Sequence, residues 1–286
     1  MIFPGLMKKN LHGGKTLQYW KNMNEALETP TIYGPTIAVT AILCVLLFVI
    51  PKKYFLLPFI IAACFLPADQ RVLIMSLDFT PLRMLVLVGF TKIMMESDFK
   101  LELNRFDKLL ITWALVGSTI YILQWKQFSA VINRSGFLFD VLGLYFIFRA
   151  NIQSFNDIAL NLKMFAFCAL VMMVLVGIEW STGQNPFEKM GSVDTIVREG
   201  KFRCQASFPH SIMMGLFWGN LVPLLIGLAL VERDKSFYWM ATGACLFIVA
   251  STASSTPILV TAGTVFLLFL YRYRHLTKQA FFSMLG

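Results

Sequence analysis

Charged residues are scarce in this chain. Asp, Glu, Lys and Arg make up 14% of its 286 residues, against about a quarter in soluble domains. With 57% apolar residues and a mean hydropathy of +0.67, that scarcity excludes a soluble globular domain. Regular apolar–polar alternation is also missing. The apolar residues come in solid blocks, which argues against a β-barrel. The five cysteines are Cys44, Cys64, Cys168, Cys204 and Cys245. They show no CxxC spacing and no pairing pattern, so neither a disulfide framework nor a zinc site is supported. All but Cys204 lie inside apolar runs, where cysteine behaves as a small hydrophobe. Residues 1–32 carry Lys8, Lys9, Lys15 and Lys21 but no apolar core. They read as a polar tail and not as a cleaved signal peptide. The net charge of +9 gathers into no basic stripe or arginine-rich arm. No nucleic-acid partner is expected, and the excess is read as topology signal and contact with anionic membrane lipids.

What is present is apolar sequence in lengths suited to a bilayer. Runs such as TIAVTAILCVLLFVI, MFAFCALVMMVLVGI and ILVTAGTVFLLFLY have the purity of spanning helices. The expected fold is all-α, a polytopic transmembrane helical bundle of about nine spans occupying residues 33–286. One expected span is broken at Asp78 to Pro81, because proline removes a helical hydrogen bond and disfavours helix at the residue before it. KQFSAVINRSG reads as a loop, and ANIQSFNDIALNLK as an amphipathic interfacial linker. Residues 181–208 form the longest polar connection. Lys52 and Lys53, the 92–108 loop, 149–163, Arg233 and Lys235, and 272–278 fall on one face, which the positive-inside rule makes cytoplasmic. The 181–208 loop is then external. The lysine-bearing N-terminus disagrees, since it also falls outside.

The chain is organised around IVREGKFRCQASFPHSIMMGLFWGNLVP, residues 196–223. Arg198, Glu199, Lys201, Arg203, Gln205 and His210 crowd the approach to a long apolar run starting near Ser211. Cations held close to hydrocarbon are costly and mark a site that needs them. Their natural ligand is an anion, and at a membrane surface that means a lipid phosphate or pyrophosphate. Two further ionisable residues sit in apolar sequence. Arg83 points to a polar cavity or snorkels from a helix end. Asp140 needs a partner or a water-filled cavity, with Arg134 as one candidate on a different helical face.

At RCQASFPHSIMMG and the following GLFWGNLVPLLIGLAL, the sequence resembles the O-antigen ligase and O-antigen polymerase family of bacterial membrane glycosyltransferases. DFTPLRMLVLVG, NRSGFLFDVLGLYFIFRA and IEWSTGQNPF match the exopolysaccharide branch in the same order, so the resemblance covers most of residues 33–272. It implies transfer of a glycan from an undecaprenyl-pyrophosphate carrier at the external face of the bacterial inner membrane. Arg203 and Arg198 would neutralise charge developing on the leaving pyrophosphate. His210 would position the acceptor hydroxyl or act as base, or else cap the helix beginning at Ser211. Gln205, Arg83 and Asp140 complete the expected substrate contacts. No metal or cofactor is expected, because arginines supply the charge. The implied partners are the lipid-linked glycan, membrane lipids and other polysaccharide-assembly proteins. Two departures stand out. The family's Ser-Arg-Gly bend is replaced by Ser254-Ser255-Thr256-Pro257, and the family continues past the equivalent of Gly286 with a large external loop, a histidine and more spans.

Two rivals come from other classes. A transporter or flippase of lipid-linked glycans suits the broken helix and the charges at Arg83 and Asp140, although no internal repeat is visible. A non-catalytic subunit of a polysaccharide assembly complex suits a chain without the family's C-terminal part.

Overall fold

The computed structural model describes residues 32–68, 70–74, 77–95, 103–198 and 200–271. The polar tail at 1–31, Glu199 and the closing basic segment lie outside the described residues. Within them run nine α-helices: α1 (Gly34–Val49), α2 (Leu57–Phe65), α3 (Pro81–Met95), α4 (Arg105–Trp125), α5 (Phe128–Asn151), α6 (Phe155–Thr182), α7 (Ser211–Val231), α8 (Lys235–Ser251) and α9 (Ser255–Leu270). The helix boundaries follow local chemistry. α3 opens on Pro81, whose missing N–H costs nothing at a first helical position. Asn104 and Asp107 form a reciprocal capping box at α4, and Ser154 and Asp157 do the same at α6. α6 ends at Gly183, held at φ +72, where glycine carries no Cβ penalty.

Four helices, α4 to α7, are long and apolar enough to cross a membrane. Their 21 to 28 residues reach at least roughly 30 Å at 1.5 Å per residue, the thickness of a bilayer core. α1 and α9 are apolar but have 16 residues each, and α2 has nine. The all-α expectation needs correction, because two antiparallel ribbons accompany the helices. β1 (Val72–Ile74) pairs with β2 (Leu77–Phe79) immediately before Pro81. β3 (Ile196–Arg198) pairs with β4 (Lys201–Arg203), with Gly200 at φ +73 in the turn. Two expected connections are helical instead. KQFSAVINRSG, without a proline, is the start of α5, and only Ile152–Ser154 separates α5 from α6, since the capping box starts the next helix at Phe155.

α7 forms the centre, burying Met214, Trp218 and Leu225 completely. It packs on α8 and α9, and α6 packs on α8. The approach of α9 is close enough that a Cβ at Gly215 would sit 2.6 Å from Pro257, and one at Gly219 would collide with the Thr261 hydroxyl. Small residues four apart allow this closeness. By contrast α4 touches chiefly α5 and leaves Leu109, Trp113, Val116, Ile120 and Leu123 exposed. An uncovered apolar face of that extent suits hydrocarbon and not water.

Alternate helix ends are tied together. At one end Lys92 Nζ donates to Leu47 O at 2.7 Å, Arg149 pairs with Asp107 at 3.0 Å, and Lys163 approaches Asp234 at 3.5 Å. At the other, Thr36 Oγ1 donates to Met190 O at 2.7 Å, Gln70 Nε2 to Gly191 O at 2.8 Å, and Ser207 Oγ to Cys64 O at 2.6 Å. The 183–210 connection belongs to this second end.

Candidate anion-binding site

The connection after α6 is folded tightly around two polar side chains. Glu179 lies one turn before the end of α6 and is fully buried. Its carboxylate accepts from Thr195 Oγ1 at 2.9 Å, Gln205 N at 3.1 Å and Ala206 N at 2.9 Å. Asn185 Nδ2 donates to Val193 O at 2.7 Å and Ala206 O at 2.9 Å, while its Oδ1 accepts from Phe187 N at 3.0 Å. These bonds draw both legs of the β3–β4 ribbon onto the helix end. A buried carboxylate is tolerated because it is met by donors on several sides. Cys204 N donates to Ser251 O at 3.2 Å and pins the ribbon to α8. Burial, followed by the nearby Glu179 charge, pushes the Cys204 thiol up to about 12. The thiol therefore stays neutral at physiological pH and is no nucleophile.

Above this base the ribbon faces the turn between α8 and α9 across an open cavity of about 1010 Å³. Arg198, Lys201 and Arg203 line one wall, and Ser254, Ser255 and Thr256 the other. Arg203 bridges the two. Its Nε donates to Thr252 O at 3.4 Å and its Nη2 to Ser254 Oγ. A guanidinium has five N–H donors in a fixed fork, so donors remain beyond these two bonds. Ser254 holds the N-cap position of α9 but its side chain makes no capping bond. The first N–H groups of a 16-residue helix, with the positive end of its dipole, thus stand beside the cations. Two guanidiniums, an ammonium and a helix N-terminus around one space offer the donors and positive charge that suit a multiply charged oxyanion.

The site residues expected from the sequence divide into groups. Arg198 and Arg203 come together at the cavity. Gln205 lies fully buried beneath them, donating Nε2 to Asp194 O at 2.6 Å, with Oε1 unpartnered. His210 is exposed at the N-cap position of α7, makes no side-chain capping bond and does not line the cavity. Arg83 and Asp140 stand apart from the cavity and hold each other: Arg83 Nε donates to Asp140 Oδ1 at 2.8 Å, and Nη2 to Oδ2 at 2.7 Å. The partner of Asp140 is therefore Arg83 on α3. Arg134 instead stacks over the Tyr121 ring at 3.7 Å.

Sequence reasoning left Glu179, Asn185 and Ser254 out of the site, whereas Lys201 was already counted in the cation cluster. For Glu179 a signal existed, a carboxylate at the end of an apolar run. Ser254 carried none, because only the tertiary fold brings it to Arg203. Among the described residues no group of three or more His, Cys, Asp or Glu could hold a metal ion. Comparison with family models, curated proteins and solved structures finds no match to this chain.

Proposed function

We propose that the chain is a polysaccharide ligase- or polymerase-like glycosyltransferase of the bacterial inner membrane, acting on a glycan carried by undecaprenyl pyrophosphate. The reading is carried by one observation, the gathering of Arg198, Lys201, Arg203 and the α9 N-terminus around an open cavity at the end of apolar helices. A polyprenyl pyrophosphate combines a dense anion with a tail that belongs in hydrocarbon, and this location suits both parts. In the transfer the bond from the anomeric carbon to the pyrophosphate oxygen breaks, and the acceptor hydroxyl oxygen bonds to that carbon. The acceptor proton leaves to solvent in the open cavity, since His210, the base the resemblance implies, does not line it. The departing pyrophosphate gains charge, which preplaced guanidiniums stabilise more in the transition state than in the ground state.

The same reading has about nine crossings, with α1, α3, α8 and α9 as shorter ones and the 52–67 segment around α2 as the shortest. Its support is that alternate helix ends gather at two faces, one of them rich in lysine and arginine. Arg83 and Asp140, closed on each other, fit better as a bundle-forming pair than as substrate contacts. The rival transport reading draws on that same half-buried pair.

The test is polymer or ligated product formed in membranes containing the protein in its natural genetic context. Arg203→Ala should lower the rate about thirty- to a thousand-fold, corresponding to roughly 2–4 kcal/mol for one lost charge-assisted contact in a partly desolvated site. Arg203→Lys should not restore it, because an ammonium lacks the planar fork. Arg198→Ala should matter less, since Arg203 is the residue that bridges the ribbon to the helix turn. Wild-type product levels from normally expressed Arg203→Ala would remove the arginine from the mechanism and favour the non-catalytic subunit reading.

A further inference from the structure

A second candidate site lies at the opposite end of the bundle, where α2 is too short to complete the wall. Its nine residues cover only about 14 Å, roughly half of a bilayer core. Along its side runs a groove of about 510 Å³ whose exposed lining is entirely apolar. Leu57, Ile61 and Phe65 of α2 form one wall, and Leu160, Met164 and Val171 of α6 the other. From Leu160 to Val171 the groove follows α6 for roughly 16 Å. Lys163 stands at its mouth, on the basic end.

Beside it, across the Lys52–Leu57 segment, is a polar hollow of about 250 Å³. Lys52, Lys53, Gln153, Asp157 and Asn161 are among its walls. The two hollows share α6: Asp157 and Asn161 serve one, Leu160 and Met164 the other. Positions one residue apart stand 100° around a helix, so these are neighbouring faces at the same depth. Asp157 is already engaged by Ser154 N at 2.9 Å and Gln153 N at 3.1 Å. Two lysines against that one carboxylate give a net single positive charge, the complement of one phosphodiester. Asn161 supplies the independent sign of a ligand. It is only 7% exposed, its Nδ2 is spent on Asp157 O at 2.7 Å, and its Oδ1 has no partner. Buried acceptors are rarely left unbonded, and Asn161 is part of the hollow's wall, where a ligand's donor would meet this one.

We infer that the adjoining hollows bind one anionic glycerophospholipid whose headgroup carries hydroxyls beside its phosphate, the phosphatidylglycerol class. The phosphate lies between Lys52 and Lys53, a headgroup hydroxyl donates to Asn161 Oδ1, and one acyl chain fills the groove between α2 and α6. The inference rests on the reading that these helices cross a membrane; it does not depend on glycosyl transfer. Its consequence is structural: the lipid completes the bundle wall that α2 leaves short.

The experiment is native mass spectrometry of the full chain in detergent, titrated with phosphatidylglycerol, phosphatidic acid or phosphatidylcholine of identical acyl chains. Phosphatidylglycerol should bind about tenfold or more tighter than phosphatidylcholine, the equivalent of one charge-assisted contact. Replacing Lys52 and Lys53 together by alanine should abolish that preference, whereas Lys108→Ala, on the same basic end, should leave it intact. Asn161→Leu should weaken phosphatidylglycerol but not phosphatidic acid, which brings no headgroup hydroxyl. Met164→Trp should weaken all three by filling the groove. Thermal unfolding in lipid-free detergent checks that each variant keeps its fold. Equal binding of phosphatidylglycerol and phosphatidylcholine, or a lysine pair whose removal changes nothing, overturns the site. A chain that carbonate wash strips from membranes would overturn the membrane reading with it, so the two failures are distinguishable.

Discussion

Removing the carboxylate of Glu179 should release the ribbon while leaving the helices folded. Three donors converge on that fully buried group, two of them backbone N–H groups of Gln205 and Ala206. Hydrogen bonds to a charged acceptor contribute about 1.5–3 kcal/mol each, and a buried donor left unbonded costs about 1–3 kcal/mol. Glu179→Ala strands both backbone donors and should cost about 3–5 kcal/mol, if the loop stays closed. The cheaper response is to open. Residues 192–208 then lift from the end of α6 and water satisfies the stranded groups. An opening free energy lowered by 3 kcal/mol is about a hundredfold rise in local exchange. Glu179→Gln keeps one acceptor and turns the other into a donor, so it should cost about 1–3 kcal/mol. The assay is hydrogen exchange at Gln205 and Ala206, read against amides in the middle of α7. Maleimide labelling of Cys204 gives a second readout. Its buried thiol, held up to about 12, should stay unlabelled in the native protein at neutral pH and react once the ribbon lifts. Unchanged exchange at Gln205 and Ala206 in Glu179→Ala would show that the clamp is not what holds the ribbon.

The remaining predictions concern the bundle. Arg83→Met or Asp140→Leu alone leaves a charge in a site where the side chains are 18% and 31% exposed, and each should cost about 2–4 kcal/mol in thermal or denaturant unfolding. The double substitution should recover most of that loss, and strict additivity would deny the pairing. A cysteine at position 190 or 200 should react with membrane-impermeant maleimide from outside, and one at position 234 only after permeabilisation. The reverse pattern would invert the orientation and move the cation cavity to the wrong side for an external glycan.

The helix bodies were legible because composition alone sets them: an apolar run of twenty residues has few alternatives in a bilayer. What failed was local and short. Strands of three residues show no period, so the ribbon at 72–79 was visible only as a break before Pro81. The first turns of α5 looked like a loop because polar residues dilute them. The Ser154–Asp157 box was present in the sequence, yet its polarity suggested an interfacial linker instead of a helix start. For the site, charge density beside a span picked out Arg203 and Arg198. Their surroundings were not legible, because they depend on contacts between residues 49 and 51 positions apart. Asp140 shows the same limit. Its need for a partner followed from its apolar context, but Arg83 lies 57 residues away and no periodicity connects them.

The long-range contacts also bear on how the cavity works. A cation on a three-residue ribbon is poorly placed for electrostatic catalysis, since a mobile charge reorganises as the leaving group develops. Here the ribbon is tied at both legs, by Glu179 and Asn185 beneath and by Ser251, Thr252 and Ser254 above. Arg203 is consequently oriented before any anion arrives, while Lys201, with an exposed side chain near the turn, is not tied in this way. The two cations should therefore differ in kind. Under the proposed function Lys201 should attract an anion over distance and weaken with salt, whereas Arg203 should fix its geometry and weaken less. That division follows from the tethering alone, whatever the anion is.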